Sequence, residues 1–306
     1  MKAAVFKQPG IPLTIEEVND PEPGPDDLIL KVRACGICGT DLHWSQGNDP
    51  SAGWRHLTPG SVMGHEFSGE IIELGKNARS QFRVGERVVA QPFIGCGSCS
   101  ACHAGRSYRF STVVTRASPE LTGAYAQYTR VGVAETLRLP DNASFHAGAL
   151  VEPLAVGLNA VKRAGLQAGD PVLVIGAGPV GLSVALWCRF FGARDVIVSD
   201  RVEARAVRCV EFGATAAINA PMKMSRHASG RSQAGHRLWY LIVWVCRAAF
   251  NSALTRHRPM RIWWLSGYAW RRTIFPCQSH RERTPHHLCV CVLEGRLSVR
   301  DRHVGQ

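Results

Sequence analysis

The sequence predicts an α/β protein in two parts. A β-rich, barrel-type domain spans residues 1–150, and a doubly wound sheet follows that is incomplete after about residue 220. Three observations carry this. Short β-prone runs alternate with Gly, Pro and Asp turns up to residue 150. A strand–glycine loop–helix unit opens near residue 170. Residue usage then changes abruptly beyond Ala220.

In the first part, Leu28–Ala34, Gly69–Leu74 and Arg87–Ala90 are strand candidates, and Asp20-Pro-Glu-Pro-Gly-Pro25 is a loop. Many short strands at this spacing fit a small barrel or sandwich. In the second part, Glu152 to Arg163 reads as a helix. Asp170-Pro171 opens an apolar strand, Val172–Ile175, followed by the loop Gly176-Ala-Gly-Pro-Val-Gly181 and a helix to about Phe191. A strand at Val196–Val198, a helix through Phe212 and a strand at Ala216–Ile218 complete a β-α-β-α-β half of a doubly wound sheet.

The net charge of +12 on 306 residues suggests a polyanion partner. Its distribution disfavours nucleic acid for the main body. Residues 1–220 hold 21 basic and 21 acidic side chains, whereas residues 221–306 hold 15 and 3. This basic tail also has 5 of the 8 tryptophans and 7 of the 12 histidines, but only 5 of the 30 glycines, so its turns are poorly marked. Two explanations stay open: a change of reading frame, and a genuine tail that binds polyanions. Met1–Phe6 leads into Gln8-Pro-Gly10 without an apolar export segment. The nearest apolar run, Leu238–Cys246, falls short of the roughly 18 to 20 residues that span a bilayer. Eleven cysteines without an export signal read as metal ligands or free thiols, so a cytoplasmic protein with no membrane partner is expected.

Four motifs carry the chemistry, in the order Cys35-Gly-Ile-Cys-Gly-Thr-Asp41, Gly64-His-Glu66, Gly85-Glu-Arg-Val88 and Val151-Glu-Pro153. Together Cys38, His65, Glu66 and Glu152 read as the ligand set of a catalytic zinc: a thiolate, an imidazole and carboxylates, beside a nucleotide loop. Residues 1 to about 220 resemble the zinc-dependent medium-chain alcohol dehydrogenases, in particular their polyol, butanediol and threonine dehydrogenase branch. The resemblance lies in Cys38-Gly-Thr-Asp41, Gly64-His-Glu-Phe-Ser-Gly69, Val84-Gly-Glu-Arg-Val88, Glu152-Pro153 and the Gly176 loop. It implies a GroES-like catalytic domain joined to a Rossmann domain, with the active site in the cleft between. It also implies a homodimer or homotetramer, although the dimer edge is not recognisable.

By the same resemblance Cys38, His65 and Glu66 hold the zinc, with Glu152 as fourth ligand or exchangeable partner. Thr40 would receive the alcohol's proton and His43 would pass it to solvent, a role that suits a group titrating near neutrality. Cys35 reads as a small buried apolar residue. A second cluster, Cys96, Cys99 and Cys102, resembles the family's structural zinc lobe. The fourth cysteine is expected where Phe110 stands, and His103 would have to swing inward to replace it. Closed structural sites are four-coordinate, so the lobe is metal-free, loosely metallated or completed by water.

In the glycine loop, Gly176 allows the tight turn, Gly178 admits a pyrophosphate, and Gly181 permits close packing, with Pro179 and Val180 between them. The following helix presents its positive end to the phosphates. Asp200 would accept the ribose 2′-hydroxyl, favouring NAD over NADP, with Arg201 and Arg205 nearby to soften that preference. Trp44 and Trp54 are pocket-wall candidates, with a core or surface role equally open. The expected activity is zinc-dependent hydride transfer from an alcohol, diol or polyol to NAD. Two alternatives stand beside it: a remnant that binds zinc or nucleotide without turnover, and polyanion binding through the tail. A half sheet would expose an apolar edge, so weak activity or none is expected of this polypeptide.

Overall fold

A computed structural model describes residues 1–46, 57–105, 114–115 and 122–219, together with the backbone of four strands between residues 237 and 296. It divides into two compact units, Met1–Glu152 and Pro153–Gln306. No helix among the described residues is long and apolar enough to cross a membrane.

The first unit begins with β1 (Lys2–Val5), paired antiparallel with β2 (Thr14–Glu17). The chain continues through β3 (Asp27–Cys35), α1 (Gly39–Gln46), β4 (Phe67–Leu74), β5 (Arg87–Ala90) and β6 (Phe93–Ile94). Then come α2 (Ser100–His103), β7 (Val114–Thr115), β8 (Tyr128–Gly132), β9 (Thr136–Arg138) and α3 (Phe145–Ala149). An antiparallel five-stranded sheet has the order β8-β3-β4-β5-β9. Its core is made by Leu28, Leu30, Phe67, Ile71, Val88 and Val131. These are apolar and mostly β-branched or aromatic side chains that pack well on a pleated surface. The β3–β4 register shifts twice, and the second shift lies between Val32 and Ala34, just before Cys35. Such bulges bend a strand, here where it hands over to the first cysteine motif. Helix α3 is tied to β4 by Ser68 Oγ, which donates to the Phe145 carbonyl, and the Arg87 guanidinium lies 4.6 Å from the Phe145 ring centroid.

The second unit begins inside α4 (Val151–Ala164), whose first two residues, Val151 and Glu152, belong to the first unit. It contains β10 (Pro171–Ile175), α5 (Pro179–Phe190), β11 (Asp195–Asp200), α6 (Glu203–Arg208) and β12 (Ala216–Asn219). Helix α5 starts with Pro179 in its first turn, where the missing N–H costs nothing. It buries Val184, Ala185 and Cys188 against Val172, Val174, Val196 and Val198 of the strands. The helix predicted through Phe212 is α6 followed by one 3₁₀ turn, closed by Gly213 in a left-handed conformation.

Four further strands extend the same sheet: β13 (Arg237–Ile242), β14 (Met260–Ser266), β15 (Ala269–Phe275) and β16 (Cys291–Arg296). The order is β12-β11-β10-β13-β16-β14-β15. Its first four strands are parallel and follow the 3-2-1-4 order of a doubly wound sheet. Here the structure departs from the exposed half-sheet edge expected above. Strand β13 covers the open side of β10, because the run Arg237-Leu-Trp-Tyr-Leu-Ile242 is itself strongly β-prone. The other residues of the basic tail lie outside the described residues, as do Trp54 and Phe110.

Candidate active site

The bulged end of β3, the start of α1 and the loop before β4 meet at one place. Cys38 Sγ, one ring nitrogen of His65 and a carboxylate oxygen of Glu66 all lie within 4.8 Å of one another. Gly36 N–H donates to the Glu66 carbonyl at 2.6 Å, which fastens the two segments together. A Cβ at Gly36 would overlap Glu66 Oε2, so the glycine makes room for that carboxylate. Gly64, with φ of +98°, turns the backbone so that His65 and Glu66 face the cysteine.

Asp41, in the first turn of α1, organises this group. Its Oδ2 accepts the Cys38 N–H at 3.0 Å and the Tyr125 hydroxyl at 2.8 Å. Its Oδ1 is buried 3.2 Å from His65 Nδ1, a charge contact outside in-line hydrogen-bond geometry, and has no other partner among the described residues. With Nδ1 facing a carboxylate, Nε2 is the nitrogen left for a metal, an arrangement that fixes the tautomer of ligating histidines.

The electrostatics follow from burial and crowding. Burial opposes ionisation of Asp41, but His65, the Tyr125 hydroxyl and the Cys38 N–H outweigh it and hold the carboxyl below its ordinary value. Burial likewise disfavours charge on His65, yet Asp41 and Cys38 raise its pKa well above the usual imidazole value. Glu66 is raised, chiefly by burial. Glu152 is pushed up to about 7 by burial, with His65 opposing and the charges of Glu66 and Asp41 adding to the rise. Among the described groups that set these shifts, three carboxyls and a thiol surround one imidazole. A divalent cation held there would supply the balancing positive charge, and the donor set of one thiolate, one imidazole and carboxylate suits zinc.

The other expected residues divide. Glu152 opens α4 outside the 4.8 Å group but is coupled electrostatically to His65 and Glu66. Thr40 is half-buried and His43 exposed. They stand three residues apart on α1, the spacing at which helical side chains are neighbours. Trp44 is half-buried on the same helix. Cys35 is half-buried against the barrel core, as an apolar reading requires. Asp41 was visible in its motif, but its role was not. Tyr125 carries no local signal at all, since its partner is 84 residues away.

The thiols of Cys96, Cys99 and Cys102 form a second group within 4.8 Å. Cys99 caps α2, its sulfur accepting the Cys102 N–H at 3.4 Å. The Ser98 N–H and hydroxyl, with the Cys99 N–H, pull exposed Cys96 down to about 6, whereas burial and then Cys99 raise Cys102. Buried Glu135 accepts the Gly95 N–H at 3.2 Å and anchors the start of this lobe. Cys99→Ala is expected to remove the cap, costing about 1 kcal/mol locally, and to weaken metal uptake by the lobe. Any zinc-dependent turnover should stay within about twofold of the parent, because the lobe supplies no atom to the Cys38 group. A thermal melt beside a steady-state assay checks both halves.

In the second unit, the glycine loop runs from β10 into α5. Gly176 has φ of +104° and donates its N–H to the Ser199 carbonyl at 2.7 Å. Gly178 is the residue before the helix, and no described atom lies within 4 Å of where its Cβ would stand. A Cβ on Gly181 would collide with the Gly176 carbonyl, so loop and helix approach each other only because no side chain intervenes. Exposed Pro179 and half-buried Val180 lie between, the latter packed on the core. Asp200 sits at the end of β11, where its Oδ2 accepts the Ala177 N–H and its Oδ1 the Val202 N–H, both at 2.8 Å. Arg201 and Arg205 are exposed beside it.

The profile of the alcohol dehydrogenase GroES-like domain matches residues 24–141. The chain is 36% identical over 219 residues to a sorbitol dehydrogenase of Bacillus subtilis (strain 168), covering 72% of this chain and 61% of that protein. The alcohol dehydrogenase TADH from Thermus sp. ATN1 superposes with a TM-score of 0.71 at 31% identity, covering 85% of this chain and 75% of that one. The chain belongs to the zinc-dependent medium-chain alcohol dehydrogenase family. Within this family, a zinc-binding dehydrogenase of Sinorhizobium meliloti 1021, whose structure holds NADP, is 36% identical with a TM-score of 0.63, over 71% of this chain and 61% of its own. The chain thus spans about 61% of the length of the Bacillus relative.

Proposed function

We propose that this chain is a zinc- and NAD-dependent oxidoreductase that takes hydride from a small alcohol, diol or polyol. The observation that carries the reading is the convergence of Cys38, His65 and Glu66 from separate segments, with Asp41 behind the histidine. Zinc held there supplies Lewis-acid polarisation of an alcohol oxygen. The chain's own residues do the rest. Cys38, His65 and Glu66 hold the ion, and Glu152 stands by as a fourth or exchangeable ligand. Thr40 receives the substrate proton and His43, exposed on the same helix, releases it to solvent.

Residues 1–150 serve as the catalytic domain and the β10–β12 region as the nucleotide-binding half of a Rossmann domain. The Gly176–Gly181 loop and the start of α5 bind the pyrophosphate, with Gly178, Pro179 and Val180 beneath it. Asp200, held by two backbone N–H groups, offers its remaining lone pairs to a ribose hydroxyl. A 2′-phosphate would meet a carboxylate there, which supports NAD over NADP. The same reading places the protein in the cytoplasm with a small-molecule substrate, and as a homo-oligomer like its family. The deciding assay incubates the purified chain with zinc, NAD and a panel of diols and polyols, and follows NADH at 340 nm. No NADH above the metal-stripped control with any substrate rejects this function. Asp200→Asn is expected to raise the NAD KM roughly tenfold or more, the weight of one hydrogen bond to a charged group, and to narrow the NAD-to-NADP preference. An unchanged preference removes Asp200 from the cofactor site.

A further inference from the structure

Tyr125 reaches the metal group from outside its sequence motifs. Its hydroxyl oxygen lies 2.8 Å from Asp41 Oδ2 and 3.2 Å from the Gly36 carbonyl, so its one proton makes the shorter bond to the carboxylate. The same residue is laced to the segment just before His65. Tyr125 N–H donates to the Met63 carbonyl at 2.9 Å, and Ala124 N–H donates to the Gly64 carbonyl at 2.9 Å. A Cβ at Gly64 would come within 2.7 Å of Tyr125 Cδ1, so the ring lies directly on that glycine. These contacts close a ring of neighbours: Tyr125, Asp41, His65, Gly64 and back to Tyr125.

From this we infer that Tyr125 is a positioning residue for the metal centre, acting through Asp41 on His65; the inference rests on the zinc reading above. An ionised carboxylate only accepts hydrogen bonds. The Tyr125 hydroxyl and the Cys38 N–H both hold Oδ2 of Asp41, which turns Oδ1 toward His65 Nδ1. Without the hydroxyl only the Cys38 N–H holds Oδ2, and the aim of Oδ1 at the imidazole loosens. Phenylalanine would fill the same space while removing only the aim. Outer partners of metal-ligating histidines are worth 10- to 100-fold in metal affinity, and Tyr125, one step farther out, is placed at the low end.

The test compares the full chain with its Tyr125→Phe variant. Zinc affinity is measured by competition with a chromophoric chelator, cobalt(II) spectra are recorded in the visible range, and the metal-free proteins are melted in EDTA. Cys38→Ser identifies the cobalt bands that belong to this centre, and bands from the Cys96 lobe cancel between the two proteins. The expected result is zinc binding weakened about tenfold and displaced cobalt d–d bands, with metal-free melting within about 2 °C of the parent. In an Asp41→Asn background, Tyr125→Phe should add nothing further. Superimposable spectra and equal affinities overturn the inference, and so do full additivity with Asp41→Asn or a large fall in metal-free melting temperature. If Cys38→Ser removes no cobalt absorbance, the metal reading itself fails and takes the inference with it.

Discussion

Replacing His65 with alanine is expected to abolish turnover and to weaken zinc binding more than 100-fold. That exceeds the roughly 10- to 100-fold cost of losing an outer partner, because on the proposed reading a ligand itself is removed. The substitution also takes away the imidazole that lowers the Asp41 pKa, leaving a buried carboxylate with no cationic neighbour among the described residues. Some loss of stability should therefore accompany the loss of metal, since an uncompensated buried charge is costly. Zinc content by elemental analysis, circular dichroism of the metal-free protein and NADH formation separate the effects. A folded His65→Ala protein that keeps one tightly bound, Cys38-dependent zinc would remove His65 from the ligand set.

The second large effect is expected at Gly181. Valine there would drive its side chain into the Gly176 carbonyl at the tightest point between β10 and α5. Helix and strand must separate, and both Val174 and Val184 of the core lose contacts that depend on that spacing. Overpacking usually costs 1–3 kcal/mol and occasionally more. The rigid backbone at this position puts Gly181→Val at about 3 kcal/mol or beyond. The loop that would hold the pyrophosphate is displaced by the same movement. NADH affinity, read by fluorescence titration, should fall by about 100-fold, the equivalent of roughly 2.7 kcal/mol, and the urea midpoint should drop. Retained NADH binding with an unchanged midpoint would show that the close approach is not required.

Much of the first unit and of β10 to β12 was legible because the signals are local. The run Val172–Ile175 followed by the glycine loop marks its strand, turn and helix within a dozen residues. Cys38 and Gly64-His-Glu66 announce themselves by residue type. The fate of the basic tail was not legible. Strand β13 is defined by pairing with β10, more than sixty positions earlier in the chain, a relation that no short segment of sequence carries. The lesson is the same at the metal centre. Gly36 reads as part of a cysteine motif, but its reason is the Glu66 carboxylate that occupies the space of its missing side chain.

The sequence by itself determined which residues could hold zinc and where a nucleotide loop begins, since donor chemistry and glycine spacing are properties of short segments. Only the tertiary structure decided that Asp41 stands behind His65, that Tyr125 holds Asp41, that Glu152 is coupled to His65 and Glu66 from outside their immediate group, and that β13 covers the edge of β10. Those relations join residues far apart in the chain. They depend on burial, which makes an unpartnered carboxylate or strand edge costly, and burial exists only once the segments have packed.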